Sequence, residues 1–311
     1  MANLPIELIK AARPAHWIKN FALFAALIFS GNLLSKPHVI IVLIAFVSFS
    51  LTTSATYIFN DILDAKRDRL HPIKKYRPIA SGKLNISTAY FTAFVLASTS
   101  LYIASQLNFL FFTATLSYLA IQALYSLGLK NLSIIDILII ASGFIIRVYA
   151  GAFVINAHLS VWFLLCVISV ALFLASGKRR AELGVVSKVM IGSTRKSLTR
   201  YSKRLIDSYV TMFGNAAWMS WALFTFFESP PVDLSVWLFL AEISRTTTIS
   251  KLMMATIPIV IFGIMRYESI IFQDKSEAPE KLLLTDIPLV LSIGIWLISI
   301  IAILYYASAM P

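Results

Sequence analysis

NDILDAKRDRLHPIKKYRPIASGK, residues 60–83, is the one long polar run in the first half of a chain that is otherwise almost continuously apolar. It carries three Asp and seven Lys or Arg. The run continues an apolar helical stretch, 38–60, and closes in a turn-rich segment punctuated by Pro72, Pro78 and Gly82. At about 100° per residue, Asp61, Asp64 and Asp68 fall within ~60° of one another, and Asn60, Asp64 and Asp68 within ~80°. One helix face therefore presents three carboxylates and an amide.

Around this run, the 311 residues are 59% hydrophobic and 14% charged. The mean hydropathy of +0.81 lies outside the range of soluble domains. Apolar stretches of about 20 residues, enough to cross a ~30 Å hydrocarbon core, lie at 17–35, 38–60, 86–105, 108–129, 132–155, 159–177, 208–227, 249–265 and 286–307. The expectation is an all-α, polytopic membrane bundle of about nine transmembrane helices. Lys10 and Arg13 ahead of the first stretch, with Lys19 at its start, imitate a signal peptide, but no small-residue cleavage site follows convincingly, so that stretch reads as a retained helix. The single cysteine, Cys166, lies in the stretch 159–177 and implies neither a disulfide framework nor a metal site. Pro230 and Pro231 break the next long helix, and the segment 228–248 reads as interfacial.

The net charge of +12 is distributed in a way that excludes nucleic acid as its explanation. With a cytoplasmic N-terminus, alternation places 1–19, 61–83, 130, 178–204 and 266–285 on one face, with 23 of the 27 Lys and Arg. That is the positive-inside pattern of a polytopic membrane protein with a cytoplasmic N-terminus. It supports one domain over 1–311 with cytoplasmic charged loops at 61–83 and 178–207. What topology leaves unexplained is the acids inside those basic loops.

Clustered carboxylates repel unless a cation sits among them. Hard oxygen ligands with no His or Cys among them point to Mg²⁺, which also holds substrate phosphates. Asn60, Asp61, Asp64 and Asp68 are thus candidate metal ligands, and the three aspartates are the candidate catalytic residues. Lys74 and Arg77 follow where donors can close over anionic oxygens. The alternative, solvated ion pairs with Lys66, Arg67 and Arg69, contributes little stability and remains open.

N-D-x-x-D-x-x-x-D followed by H-P-x-K-x-x-R-P-I-A-S-G resembles the first signature of the UbiA superfamily of intramembrane prenyltransferases. R-P-x-x-W-x-K-N at Arg13, Pro14, Trp17, Lys19 and Asn20 resembles the branch of decaprenyl-phosphate phosphoribosyltransferases, as do K-R-R-A-E at 178–182 and Arg266–Tyr267. The resemblance implies a cavity among nine helices near the cytoplasmic surface, with Tyr125 and Lys130 at its mouth. It also implies a second Asp-rich motif after the stretch 159–177. The chain departs from that pattern, because Glu182 is the one acid between 178 and Asp207, among nine bases.

A site with one acidic and one basic wall suits more anion than one diphosphate supplies. Phosphoribosyl diphosphate adds a 5-phosphate, and a polyprenyl phosphate acceptor adds another. Lys178, Arg179 and Arg180 are candidates for those phosphates, and Glu182 for the metal or a ribose hydroxyl. Arg13, Lys19 and Asn20 either touch a phosphate or anchor the chain to headgroups; Lys19 is the favoured contact. Asp136 and Arg147 share one helix face, ~16 Å apart. Intramembrane charge invites a functional reading, but Arg147 lies too deep for this chemistry and reads as a buried pair or an outward snorkel.

The reading is an Mg²⁺-dependent transferase that moves phosphoribosyl from its diphosphate to a polyprenyl phosphate, with membrane lipids around it and a homo-oligomer permitted. The alternative alkylates an aromatic or glycerol-phosphate acceptor with a prenyl diphosphate. A transporter is disfavoured because its charges belong near the bilayer midplane.

Overall fold

The computed structural model describes residues 4–71, 73–186, 200–228, 252–273 and 285–307, and among them regular structure is helical throughout. The interfacial segment expected at 228–248 lies almost wholly outside these residues, as does most of the polar loop after 186. The chain divides into two compact units, Met1–His158 with Met190–Arg200, and Leu159–Val189 with Tyr201–Pro311.

The first unit is organised by α3 (Lys36–Asp68), 33 residues that carry the apolar stretch and the acidic run as one helix. No Gly or Pro occurs between 38 and 68 to break it, and Pro72 denies helical conformation to the residue before it. Around α3 stand α1 (Leu4–Ala12), α4 (Ile86–Leu107), α5 (Phe109–Leu127) and α6 (Ile135–Val154). Asn85 and Asn108 start α4 and α5 by accepting from the backbone N–H of Ser87 at 3.2 Å and Leu110 at 2.7 Å. The packing inverts that of a soluble protein. Ser48, Ser50, Thr52, Thr53 and Ser54 of α3 are buried, while Phe91 and Phe94 of α4 are each 70% exposed. Small polar residues let helices approach closely and bond across apolar surroundings: Ser48 Oγ donates to the Ser100 carbonyl at 2.9 Å, and Thr52 and Ser100 share a hydroxyl bond of 2.8 Å.

The stretch 17–35, read as an ordinary helix, is built differently. A 3₁₀ helix spans Pro14–Leu23 and passes into the short α2 (Phe24–Phe29). At ~2.0 Å per 3₁₀ residue and ~1.5 Å per α residue, the pair rises about 29 Å, a bilayer's hydrocarbon thickness from only 16 residues. Close contact draws this segment in: a Cβ at Gly151 of α6 would lie 2.0 Å from the Leu23 carbonyl oxygen.

The second unit contains α7 (Val161–Val186), α8 (Lys203–Glu228), α9 (Ile257–Ile271) and α10 (Ile287–Ala302). A second correction falls here. Lys178–Glu182 are not loop residues but belong to the end of α7, because K-R-R-A-E-L is made of strong helix formers. Asp286 caps α10 by accepting from Leu289 N–H at 3.1 Å. Seven helices among the described residues are long and apolar enough to cross a membrane. Two of the nine stretches are not among them: the 3₁₀/α2 pair, and α8, which begins with Lys203, Arg204 and Asp207.

Candidate active site

The acidic run forms the last two turns of α3, and its aspartates face inward: Asp61, Asp64 and Asp68 are 3%, 7% and 3% exposed. Buried carboxylates demand counter-charge, and it comes from three other segments. Arg13 Nη2 grips both oxygens of Asp61, at 2.6 and 2.7 Å. Arg77 Nη1 bridges Asp61 at 3.0 Å and Asp68 at 2.6 Å. Lys130 Nζ donates to Asp64 Oδ1 at 2.7 Å and to Asn60 Oδ1 at 3.1 Å. Arg67, one turn along α3, reaches Asp64 at 2.9 Å.

Each base is placed by local structure. Arg77 leads R-P-I-A-S-G, whose Ile79 and Ala80 are buried together with Leu84 just beyond it, and Ile79 and Leu84 pack against Ala11, Ile58, Ile62 and Ala65. The motif works as an apolar plug that aims one guanidinium, and Gly82 at φ +77° turns the chain behind it. Lys130, 3% exposed, occupies a single 3₁₀ turn after α5. Arg13 sits in the left-handed region at φ +52°, with its guanidinium 5.2 Å from the Tyr57 ring centre. His71, given no catalytic role, uses Nδ1 to accept from Ile73 and Lys74 N–H and so shapes the turn.

Four predicted acid-site residues and three predicted bases are thus together: Asn60, Asp61, Asp64, Asp68, Arg13, Arg77 and Lys130. Lys19, Lys74 and Tyr125 are half-buried on the same unit. Asn20 is elsewhere. It is fully buried, donates to Ser50 Oγ at 3.0 Å and Thr53 Oγ1 at 3.3 Å, and accepts from Arg147 Nε at 2.8 Å. Its amide is spent inside the helix packing, so a substrate phosphate is not what it meets here. Arg147 likewise does not snorkel, being 4% exposed.

The donor set fits a hard divalent cation, with carboxylates and one amide oxygen and no His or Cys among them. Among the described residues, no three acids are gathered into a metal-ligating cluster, and each of the three carboxylates is held by at least one base. As they stand, four bases answer three carboxylates. A ligand that brings both a cation and an anion matches this arrangement, the cation taking carboxylates and the anion taking the released bases.

In the second unit, Arg179 and Arg180 are 0% and 2% exposed. Arg179 Nη1 bonds Glu182, Arg180 Nε bonds Asp207, and the Arg180 guanidinium stands 5.3 Å from the Phe272 ring centre. The basic element is therefore tied down by acids. Asp207 and Phe272 escaped the sequence reading, since nothing in their spacing links them to α7. Tyr267, in the recognised Arg266–Tyr267 pair, packs over Gly177, where a Cβ would lie 2.7 Å from its ring. Arg266 holds Asp286 through Nε at 3.0 Å and Nη2 at 2.8 Å. That hydrogen bond keeps the Asp286 carboxyl below its ordinary range, aided by the Leu289 N–H and opposed by desolvation.

An all-α integral membrane protein with buried acids and bases at a helix end has the fold and the chemistry of an intramembrane transferase. The UbiA prenyltransferase family matches residues 20–224, and the chain belongs to that family. It is 34% identical to a decaprenyl-phosphate phosphoribosyltransferase of Mycolicibacterium smegmatis, over 98% of this chain and 94% of that protein. It is 33% identical to the protein of that name from Corynebacterium glutamicum, over 97% and 88%. A UbiA homologue from Archaeoglobus fulgidus, solved with DMAPP and Mg²⁺, superposes with a TM-score of 0.66 at 17% identity, covering 96% of this chain and 99% of that one.

Proposed function

We propose that this transferase moves the 5-phosphoribosyl group of phosphoribosyl diphosphate onto a polyprenyl phosphate of the decaprenyl type, releasing diphosphate, in the synthesis of cell-envelope polysaccharide precursors. The observation that carries the reading is the basic end of α7, Lys178–Arg180, standing where a second acidic motif is expected of a prenyl-diphosphate enzyme. The named relatives from Mycolicibacterium and Corynebacterium support it independently. We further assign a single domain over 1–311, nine crossings, a cytoplasmic N-terminus and a site at the cytoplasmic face of a bacterial plasma membrane, on the charge distribution of the loops.

Asn60, Asp61, Asp64 and Asp68 would hold Mg²⁺. Bound there, it would supply charge stabilisation to the departing diphosphate. Arg13, Arg77 and Lys130, with Lys19, Lys74 and Tyr125, take phosphate oxygens. The bond from ribose C1 to the diphosphate oxygen breaks with its electron pair on diphosphate, and positive charge develops on the ribose. A lipid phosphate oxygen then bonds to C1. That oxygen is already anionic and needs no general base, which agrees with a His71 whose Nδ1 serves a turn. Lys178, Arg179 and Arg180 serve further phosphates, and Glu182 the metal or a ribose hydroxyl. Holding two anions against their repulsion is the main contribution of the protein.

The test is purified protein with Mg²⁺, polyprenyl phosphate and labelled phosphoribosyl diphosphate. A labelled lipid is expected. Its absence, with turnover of a prenyl diphosphate and an aromatic acceptor, replaces this reading with the prenyl-transfer one.

A further inference from the structure

Gly143, Arg147 and Gly151 recur at four-residue spacing on α6, so they line one face of it. Between two glycines that admit close neighbours, this face carries a buried guanidinium whose acceptors are all neutral. Nε donates to Asn20 Oδ1 at 2.8 Å, Nη1 to the Gly143 carbonyl at 2.5 Å and Nη2 to the Tyr118 hydroxyl at 2.8 Å. The rings of Tyr118, Phe49 and Phe144 stand 4.9, 5.6 and 5.8 Å from its central carbon. Among the described residues no carboxylate pairs with it. A cation deep in a membrane protein is costly, and here a forked donor and aromatic faces spread the charge where a lysine would offer one point. The arrangement has one evident beneficiary, the 3₁₀ segment.

That segment is fastened at both ends. At its inner end, Asn20 joins Arg147 to Ser50 and Thr53 of α3, and the Leu23 carbonyl rests on Gly151. At its outer end, Trp17 Nε1 donates to Ser54 Oγ at 2.9 Å, Ser54 Oγ donates to the Ala12 carbonyl at 2.9 Å, and Arg13 grips Asp61. Seven 3₁₀ residues at ~2.0 Å each put Asn20 about 14 Å from Arg13. A 3₁₀ helix of ten residues is long for a form whose hydrogen bonds are poorer than those of an α-helix, so its register needs external ties. A one-residue slip there carries Arg13 off Asp61.

We propose that Arg147 is a positioning residue: through Asn20 it fixes the register of Pro14–Leu23 against α3 and α6, and thereby presents the Arg13 guanidinium to Asp61. Its bearing on catalysis rests on the function proposed above, in which Arg13 and Asp61 belong to the site. Its bearing on the segment does not.

Hydrogen exchange on the purified full chain addresses the segment. Arg147→Met is expected to speed exchange of the 14–23 amides at least tenfold while leaving α4 unchanged, and Arg147→Lys to restore part of the protection. Where Arg147→Met does not fold, Asn20→Ala removes the link with the guanidinium left in place and carries the same expectation. Unchanged protection at 14–23 overturns the proposal. Transfer kinetics address the catalytic half. Arg147→Met and Arg13→Ala should each lower kcat/KM at least tenfold, and the double variant should match the worse single variant within about twofold, because both remove the same contact. Additive losses overturn that half. A wild-type protein that makes no phosphoribosyl lipid sinks the proposed function instead, and the exchange result still decides the role of Arg147.

Discussion

Asp61 and Asp68 share the Arg77 guanidinium, and Asp64 shares Lys130 with Asn60. These shared contacts make single substitutions informative. Asp68→Asn leaves packing intact and removes one charge from the cradle, so kcat should fall about 10²–10³-fold, the scale for losing one electrostatic contact to a developing charge; wild-type turnover would remove Asp68 from the site. Arg77→Ala removes the one nitrogen that bonds both Asp61 and Asp68 and should be the more damaging change, whereas Arg77→Lys, whose ammonium can donate to two oxygens as Lys130 does, should keep part of the activity. A steady-state comparison of the two variants reads this directly. The acids were legible in the sequence, being contiguous and on one helix face. Their present partners were not. Arg13 lies 48 residues from Asp61 and Lys130 lies 66 from Asp64, and no local pattern pairs residues so far apart.

Close approaches between helices carry the next set of consequences. Gly177 lets α7 meet α9, with a Cβ there 2.7 Å from the Tyr267 ring. Gly177→Ala must therefore displace a side chain that is 3% exposed, and overpacking of this kind costs about 1–3 kcal/mol. A lowered Tm with the fold retained is the expected result. The tie between Arg266 and Asp286 is sensitive to acid. The pKa of Asp286 is depressed in the folded protein, so its contribution to stability is complete above the ordinary carboxylate pKa and disappears as pH falls through the lower folded value. Thermal unfolding from pH 7 down through the carboxylate range should show wild type losing more than Asp286→Asn, and parallel curves would refute the assignment. Helices from 38 to 155 were readable from apolar runs and turn residues. The 3₁₀ form of Pro14–Leu23 was not, and the segment's contacts are with Gly151 and Arg147, residues more than 100 positions away.

Over the whole chain, charge asymmetry makes a topological forecast. In right-side-out vesicles, with Cys166 replaced by Ala, an impermeant maleimide should label a cysteine at Lys36 and miss one at Lys75 until the vesicles are opened. Labelling of both from outside would overturn the cytoplasmic assignment of the charged loops. Composition by itself determined that the chain is a helical membrane protein, because apolar runs of bilayer length have no other stable form in lipid. The acidic run by itself determined that Asp61, Asp64 and Asp68 share one helix face, because helical periodicity alone sets that. Only the tertiary structure decided which bases answer those carboxylates, that Asn20 bonds Ser50, Thr53 and Arg147, and that Arg179 and Arg180 are held by Glu182 and Asp207. The physical reason is common to all three. A one-dimensional pattern records which groups share a helix face, whereas the pairing of buried charges is settled by which other helices come within hydrogen-bond reach.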